Sequence, residues 1–240
     1  MLSGMIDGLG AAAARYGVRL DAQHLGRFQR YVEAVVAWSA RVNLVGTPDL
    51  ATILERHILE SIALGAALRE RELLRPGAHV ADVGAGAGFP GVPIAIVWPV
   101  RLTLIEATAK KARFLDALVA DLGLPDAEVR AGRAETLAHD AGLRERFDLV
   151  LARAVAPLPA LLELTLPFAR VGGRVATPKG SRAGDELAAA RNALAVLGGR
   201  AFSFPLDVPG PPQTVIVVHK RAPTPPAYPR RPGMPAKSPL

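Results

Sequence analysis

Apolar residues recur every three or four positions through the first third of the chain. Residues 21–40 and 49–74 both show this spacing, which is typical of amphipathic helices. Asp21 stands where a helix N-cap is expected, and Arg75-Pro76-Gly77 ends the second stretch. An apolar helix face must pack on something, so we predict that residues 1–76 form a helical extension packed on a larger core.

Beyond this extension the pattern changes to short apolar runs separated by helical segments. The runs at 79–83, 101–105, 127–130, 147–151 and 173–177 predict strands of a parallel sheet with helices on both faces. Two further strands, 200–204 and 214–219, follow each other without a helix and predict an antiparallel edge. Residues 77–221 are therefore predicted to be one α/β core with a mostly parallel, seven-stranded sheet.

The amino-acid composition indicates the class of protein and its cellular location. Half of the 240 residues are apolar but only 5% are aromatic, which suits a single globular α/β protein. No apolar run approaches the roughly 20 residues that span a bilayer, and no secretion signal opens the chain. The absence of cysteine excludes disulfides, thiolate metal ligands and a cysteine nucleophile. We therefore expect a cytoplasmic protein, with no membrane partner and no metal.

The formal net charge of +7 is concentrated near the C-terminus. No acidic residue follows Asp207, whereas the basic residues there are Lys220, Arg221, Arg230, Arg231 and Lys237. This charge fits either a polyanionic partner or a solubilising tail, and both interpretations stay open. Seven prolines in residues 222–240 argue against helix and predict an extended tail, disordered alone, that would fold against RNA only when bound.

Three glycines, Gly84, Gly86 and Gly88, follow the first predicted strand and precede a helix that begins near Pro90. Such a turn lets bare backbone approach a ligand closely. Tight turns without a ligand also use glycine, and the spacing of Gly86, Gly88 and Gly91 matches a dinucleotide fingerprint. The glycines alone therefore leave the ligand open.

Two acids and a proline favour a sulfonium cofactor over a nicotinamide. Asp82 ends the strand before the glycines, where a carboxylate suits a cation, and Pro90 removes an N–H that a pyrophosphate would use. Glu106 ends the next strand, about 20 residues beyond the glycines, where an acid accepts ribose hydroxyls. Glu106 could instead be a first-turn acid of the following helix. The combination predicts S-adenosylmethionine as cofactor.

At this level of detail the chain resembles the bacterial small-subunit ribosomal RNA methyltransferase G family, also called glucose-inhibited division protein B. The similarity runs from about residue 20 to the end and includes a glutamate, Glu60, where aspartate is commoner. The matching segments are Asn43-Leu44-Val45, Arg56-His57-Ile58-Leu59-Glu60-Ser61, residues 82–91 (the glycine loop with Phe89-Pro90-Gly91), Arg133-Ala134-Glu135, Arg153-Ala154-Val155-Ala156 and Lys179-Gly180.

The resemblance implies a Rossmann-like, S-adenosylmethionine-dependent methyltransferase fold and methylation of guanine N7 in small-subunit ribosomal RNA. It also implies that Arg153 lies in the cofactor site. Arg153 follows the strand 147–151, at the sheet edge where open α/β folds bind ligands, although an ion pair with Asp148 or Glu163 is the alternative role. The cofactor-binding residues implied are Asp82, Gly84, Gly86, Gly88, Phe89, Glu106, Ala107, Thr108, Ala134, Glu135 and Arg153.

Guanine N7 presents a lone pair without a proton, so its methylation needs alignment rather than a general base. Pro157 has no aromatic neighbour, which disfavours a site for an exocyclic amine. No residue is therefore assigned as a catalytic base. His57 and Lys179 are expected to organise the site or to contact the RNA. The residues expected to contact RNA are Lys179, Arg182, Arg230 and Arg231.

Two other functions are compatible with the same fold. One is a nicotinamide-dependent oxidoreductase, and the other is a non-catalytic RNA-binding assembly factor. The fold alone does not separate them from a methyltransferase, which we expect to act as a monomer on small-subunit RNA.

Overall fold

A seven-stranded sheet forms the centre of the protein. The computed structural model describes residues 2–46 and 49–240. The strand order is β3-β2-β1-β4-β5-β7-β6, with β1 to β5 parallel and β7 antiparallel to both of its neighbours. The strands are β1 (His79–Val83), β2 (Arg101–Glu106), β3 (Ala127–Ala131), β4 (Phe147–Leu151), β5 (Ala169–Lys179), β6 (Gly199–Leu206) and β7 (Gln213–Lys220). The predicted α/β fold with its antiparallel edge is confirmed.

Helices cover both faces of this sheet. Those before the first strand are α1 (Leu2–Ala14), α2 (Ala22–Ser39), α3 (Leu50–Thr52) and α4 (Glu60–Glu70). Those within and after the sheet are α5 (Gly91–Val97), α6 (Ala109–Leu122), α7 (Ala134–Leu137), α8 (Leu158–Thr165), α9 (Ala183–Ala189), α10 (Arg191–Leu197) and α11 (Met234–Lys237). The carboxylate of Asp21 accepts a hydrogen bond from the N–H of His24 and caps α2, as its sequence position indicates.

The stretch that the sequence presents as one helix, residues 49–74, is interrupted. Between α3 and α4 the backbone is π-helical over Ile53–Leu59. This wider turn carries Arg56 and His57, and π-helical segments are frequent at functional sites. The helical stretch ends at Glu70, and Glu72 adopts a left-handed conformation with a φ of 55°.

Two apolar clusters hold the layers together, one on each face of the sheet. Alternating residues of β4 divide between them, because Leu149 and Leu151 join one cluster and Val150 joins the other. The first cluster includes the N-terminal helices with α5 and α6, and the second includes α8 and α10. The N-terminal helices therefore share a core with the sheet. Among the described residues, no helix is both long and apolar enough to cross a membrane.

The C-terminal tail, residues 222–240, lies on the core, which corrects the expectation of an extended chain that orders only on RNA. Arg144 donates hydrogen bonds to the carbonyl oxygens of Thr224 and Tyr228 at 2.8 and 2.9 Å. Arg230 binds both carboxylate oxygens of the fully buried Glu163, and a short helix, α11, follows. The prolines suppress long helices, as the sequence indicates. The contacts that order the tail are made with residues about 65 to 85 positions away, so no local sequence pattern predicts them.

Replacement of Arg230 by alanine should destabilise the protein, because it leaves the buried carboxylate of Glu163 without its cation. Since the Arg230 side chain is 26% exposed, we expect a loss near the lower end of the roughly 3–5 kcal/mol that removal of one partner of a buried pair costs. Arg231→Ala is the matched control, because Arg231 is exposed and pairs with no described residue. Thermal unfolding of both variants measures the difference, and equal midpoints would contradict a stabilising role for the ion pair of Arg230 and Glu163.

Candidate cofactor site

The glycine loop lies at the carboxyl end of β1. Its three glycines adopt positive φ angles of 72° at Gly84, 59° at Gly86 and 96° at Gly88, a backbone region that disfavours other residues. A Cβ at Gly88 would lie 2.8 Å from the Tyr31 hydroxyl, whereas the nearest atom to one at Gly86 would be a carbonyl oxygen at 3.8 Å. Gly88 thus permits close packing, and Gly86 leaves open space beside the loop.

Asp82 is buried directly beneath this loop, and its carboxylate is only half satisfied. The N–H of Gly91 donates a hydrogen bond of 2.8 Å to Oδ2, but Oδ1 has no hydrogen-bond partner among the described residues. Burial raises the pKa of Asp82 to about 7, although the Gly91 hydrogen bond and the charge of Arg153 both act to lower it. A buried carboxylate oxygen without a hydrogen-bond partner is uncommon and marks Asp82 as a candidate functional group.

Glu106, at the end of β2, joins the glycine loop to the start of α6. Its two carboxylate oxygens accept hydrogen bonds from the N–H groups of Gly86 at 2.9 Å and Thr108 at 2.7 Å. Each oxygen retains a second lone pair, so the carboxylate can still accept ribose hydroxyls. The two roles weighed from the sequence, helix-start acid and ligand acid, are therefore compatible. Ala107 and Thr108 are exposed beside it.

The N-terminal helices reach the same loop through Tyr31 of α2. Its hydroxyl donates a hydrogen bond of 2.7 Å to the carbonyl oxygen of Ala87, and its ring stacks on Phe89 at a centroid distance of 5.0 Å. The ring of His57 stacks on Phe89 at the same distance. Sequence reasoning missed Tyr31, although a tyrosine within an apolar helix face needs a partner for its hydroxyl.

Arg153 emerges at the end of β4 and binds the N-terminal helices. Its guanidinium nitrogens lie 2.7 Å from His57 Nδ1, 3.4 Å from a carboxylate oxygen of Glu60 and 3.2 Å from the backbone carbonyl oxygen of Arg56. The two acids that the sequence offered as alternative ion-pair partners of Arg153 bind other arginines. Asp148 binds Arg170, and Glu163 binds Arg230. Arg153 is therefore placed at the site by Glu60 and His57.

These contacts keep His57 neutral. Burial lowers the pKa of His57 to about 4, and the neighbouring charge of Arg153 acts in the same direction. A guanidinium has only donors, so the imidazole must accept the Arg153 hydrogen bond through Nδ1 and carry its proton on Nε2. The residue is thus a fixed hydrogen-bond donor at physiological pH.

The loop after Arg153 is held in a strained conformation. Ala154 has a φ of 56°, which is unusual for a residue with a side chain and is often found at functional sites. Lys179 donates a hydrogen bond of 2.9 Å to the carbonyl oxygen of Ala156 and pairs with Glu186 at 2.8 Å. Glu186 in turn accepts a hydrogen bond from the N–H of Leu158. Lys179 therefore fixes this loop, which agrees with a role in the organisation of the site.

Glu135 of α7, which is expected to flank the adenine, is buried, and the adjacent Ala134 is half-buried. Although burial acts to raise the pKa of Glu135, hydrogen bonds from the Arg133 side chain and the N–H of Gly233 lower it. Gly233 belongs to the tail, so the tail contacts the residue that is expected to flank the adenine. This contact has no signal in the sequence.

The structure separates the four cations that the sequence assigns to RNA. Lys179 and Arg230 are used within the protein, in ion pairs with Glu186 and Glu163. Arg182 and Arg231 are exposed and form no ion pair with any described residue.

Comparisons with solved structures agree with this fold. A putative O-methyltransferase from Klebsiella pneumoniae superposes with a TM-score of 0.55 over 80% of this chain and 90% of its own, at 16% identity. A MtNAS variant in complex with S-adenosylmethionine gives a TM-score of 0.54 over 90% of this chain and 78% of its own, at 15% identity. At such low identity these likenesses show the fold alone.

Sequence relatives define the family. The sequence profile of rRNA small subunit methyltransferase G matches residues 24–210. Relatives described as ribosomal RNA small subunit methyltransferase G include one from Roseiflexus castenholzii, 42% identical over 98% of this chain and 100% of its own length. Another, from Geobacillus thermodenitrificans, is 40% identical over 93% of this chain and 94% of its own length.

Fold and site are those of a Rossmann-like, S-adenosylmethionine-dependent methyltransferase. The unpartnered Oδ1 of Asp82 and the open space beside Gly86 both suit this cationic cofactor, which supplies the methyl group when bound. By its near full-length match, the chain belongs to the rRNA small subunit methyltransferase G family.

The pKa of Asp82 predicts that cofactor binding depends on pH. Below pH 7 the free protein holds a proton on this carboxyl, and above it the carboxylate attracts a cation. Affinity for S-adenosylmethionine should therefore rise between about pH 6 and pH 8, with release of a proton on binding. Calorimetry in buffers of different ionisation enthalpy measures that proton. Asp82→Asn should abolish its release, and an unchanged proton count in this variant would exclude Asp82 as the group.

Removal of the Tyr31 hydroxyl should loosen the glycine loop. Tyr31→Phe keeps the stack on Phe89 but leaves the buried carbonyl oxygen of Ala87 without its donor, at a cost of about 1–3 kcal/mol. We expect a lower unfolding midpoint and weaker binding of S-adenosylhomocysteine, measured by calorimetry. Tyr16→Phe is the control, because the Tyr16 hydroxyl makes no hydrogen bond with a described residue. Equal affinities in the two variants would contradict the prediction.

Proposed function

We propose that this protein transfers a methyl group from S-adenosylmethionine to N7 of a guanine in small-subunit ribosomal RNA. The observation that carries the proposal is the identity of about 40%, over nearly the whole chain, to relatives that bear the name of this methyltransferase. The glycine loop, Asp82 and Glu106 complete a site on this scaffold that suits the cofactor.

In this proposal the glycine loop would hold the cofactor, Glu106 would accept its ribose hydroxyls, and residues 107–108 and 134–135 would flank its adenine. The methionyl end of a bound cofactor would lie near Asp82, whose carboxylate charge would favour its ammonium group. Arg153 does not oppose this cation strongly, because Glu60 compensates its charge at 3.4 Å.

The site suits an acceptor that carries no proton. N7 of guanine attacks with a lone pair, so the protein has to align donor and acceptor rather than remove a proton. The groups around Arg153 are consistent with this demand, because His57 is neutral with its acceptor nitrogen occupied. When bound, the sulfonium would supply the methyl group, and the neutral imidazole of His57 would not oppose the positive charge that develops on the base.

We further propose that Arg182 and Arg231 contact phosphates of the RNA, and that the protein acts as a monomer in the cytoplasm. Arg182 follows β5 and immediately precedes α9, at the same end of the parallel strands as the glycine loop. Both side chains are exposed, as counterion exchange with phosphates requires.

Methyl transfer to unmodified small-subunit RNA tests the function directly. The protein is incubated with labelled S-adenosylmethionine and this RNA, and N7-methylguanine is mapped by cleavage with borohydride and aniline. Label on an exocyclic amine would overturn the N7 assignment. Calorimetric titration with S-adenosylhomocysteine and with NAD separates a methyltransferase from a nicotinamide-dependent enzyme.

The two proposed roles of the 179–182 segment differ in their salt dependence. Arg182→Ala should weaken RNA binding and reduce the slope of log affinity against log salt by about 1, as loss of one phosphate contact does. Lys179→Met should leave this slope unchanged and lower the turnover rate, because it frees the loop carrying Ala156. Filter binding over a salt series, combined with turnover measurements, distinguishes them. The reverse pattern would assign the phosphate contact to Lys179.

A further inference from the structure

His57 occupies a defined place between the two halves of the site. Its ring stacks on Phe89 of the glycine loop at 5.0 Å, and its Nδ1 lies 2.7 Å from the guanidinium of Arg153 at the end of β4. If Glu106 holds the ribose of a bound cofactor at β2, its methionyl end would lie towards β4, which neighbours β1 on the other side. His57 would then lie on the side where the methyl acceptor enters.

The imidazole offers the acceptor one hydrogen-bonding group. Its Nδ1 is occupied by Arg153, and its Nε2 carries the proton. Apart from the backbone carbonyl oxygen of Arg56, which lies close enough to act to raise the pKa of His57, no described residue offers Nε2 an acceptor, and the side chain is only half-buried. The stack on Phe89 and the hydrogen bond from Arg153 fix the ring plane, so this N–H has a set direction.

Purines differ in what they present to such a donor. On the edge that contains N7, guanine has a second acceptor, O6, whereas adenine has an amino donor at the same position. An N–H donor beside O6 is satisfied by guanine and faces another donor in adenine. A hydrogen bond to O6 also leaves the lone pair of N7 free for methylation.

We propose that His57 selects guanine over adenine by donating a hydrogen bond from Nε2 to O6 of the target base. The inference rests on the proposed function and assigns the specificity of that same site. Arg153 and Glu60 act as positioning residues, because they hold the imidazole in the tautomer that donates from Nε2.

The test compares two RNAs that differ only in the target base. Splint ligation places either guanosine or 2-aminopurine riboside at the target position, and the second lacks O6 but keeps N7. In the wild-type protein kcat/KM should be higher for guanosine, partly because loss of O6 also changes the nucleophilicity of N7. The difference in N7 nucleophilicity is the same for every variant. It therefore cancels when the ratio of kcat/KM for the guanosine RNA to kcat/KM for the 2-aminopurine RNA is compared between a variant and the wild type.

His57→Phe keeps an aromatic ring on Phe89 and removes both nitrogens. We expect the guanosine to 2-aminopurine ratio to fall by about 10- to 100-fold relative to the wild type. His57→Gln, which retains a terminal N–H donor, should recover part of the ratio. His79→Phe is the control, since His79 begins β1 at the opposite end of the strand, and its ratio should equal that of the wild type.

A guanosine to 2-aminopurine ratio that is equal in the wild type and His57→Phe would overturn the proposal. A purely structural role of His57 would lower kcat/KM for both RNAs by the same factor and leave the ratio unchanged. Affinity for S-adenosylhomocysteine reports whether the His57→Phe protein is folded. If this binding is lost, the His57→Met variant is used in place of His57→Phe. A wild-type protein that forms no N7-methylguanine on the guanosine RNA would refute the proposed function itself. A wild type active on guanosine with an unchanged ratio in His57→Phe refutes only the role of His57.

Discussion

The buried ring of Phe89 is the contact on which the site depends. It brings together a tyrosine from α2, a histidine from the π-helical segment and, at 5.8 Å, the guanidinium of Arg153 from the end of β4. Aromatic stacking has a narrow range of favourable geometries, so a single ring fixes three elements relative to the glycine loop. The N-terminal helices are thereby part of the site, because without them the loop would lose the Tyr31 hydrogen bond and Arg153 would lose Glu60.

The buried acids show which parts of the site are complete in the protein alone. Glu60, Glu135 and Glu163 each have a basic partner, so their charges are compensated within the structure. Asp82 differs, because one of its oxygens has no partner among the described residues and its pKa is raised to about 7 by burial. Glu106 is also buried and has no basic partner in the described part of the chain, since it accepts hydrogen bonds only from two backbone N–H groups, so the two buried acids without a basic partner both lie beside the glycine loop. A carboxylate kept partly unsatisfied costs stability, which is reasonable where a cation binds.

Some of the basic residues of the C-terminal region are likewise paired within the protein. The excess positive charge of the C-terminal region suggests an RNA-binding tail, yet Arg230 is bound to Glu163 and the fully buried Lys220 to Glu145. The charge count therefore overstates the surface available to a polyanion. What the tail provides instead is a covering of the core that extends to Glu135, next to the segment expected to flank the adenine.

The sequence alone determined the strands, their parallel arrangement and the glycine loop, because these follow from local periodicity and from the special backbone freedom of glycine. It also placed Asp82, Glu106 and Arg153 at strand ends, where the topology of a parallel sheet brings them to one edge. Only the tertiary structure decided which groups pair: Arg153 with Glu60 and His57, Lys179 with Glu186, Arg230 with Glu163. Some of these partners lie almost 100 positions apart, and no periodic pattern encodes a contact over that distance.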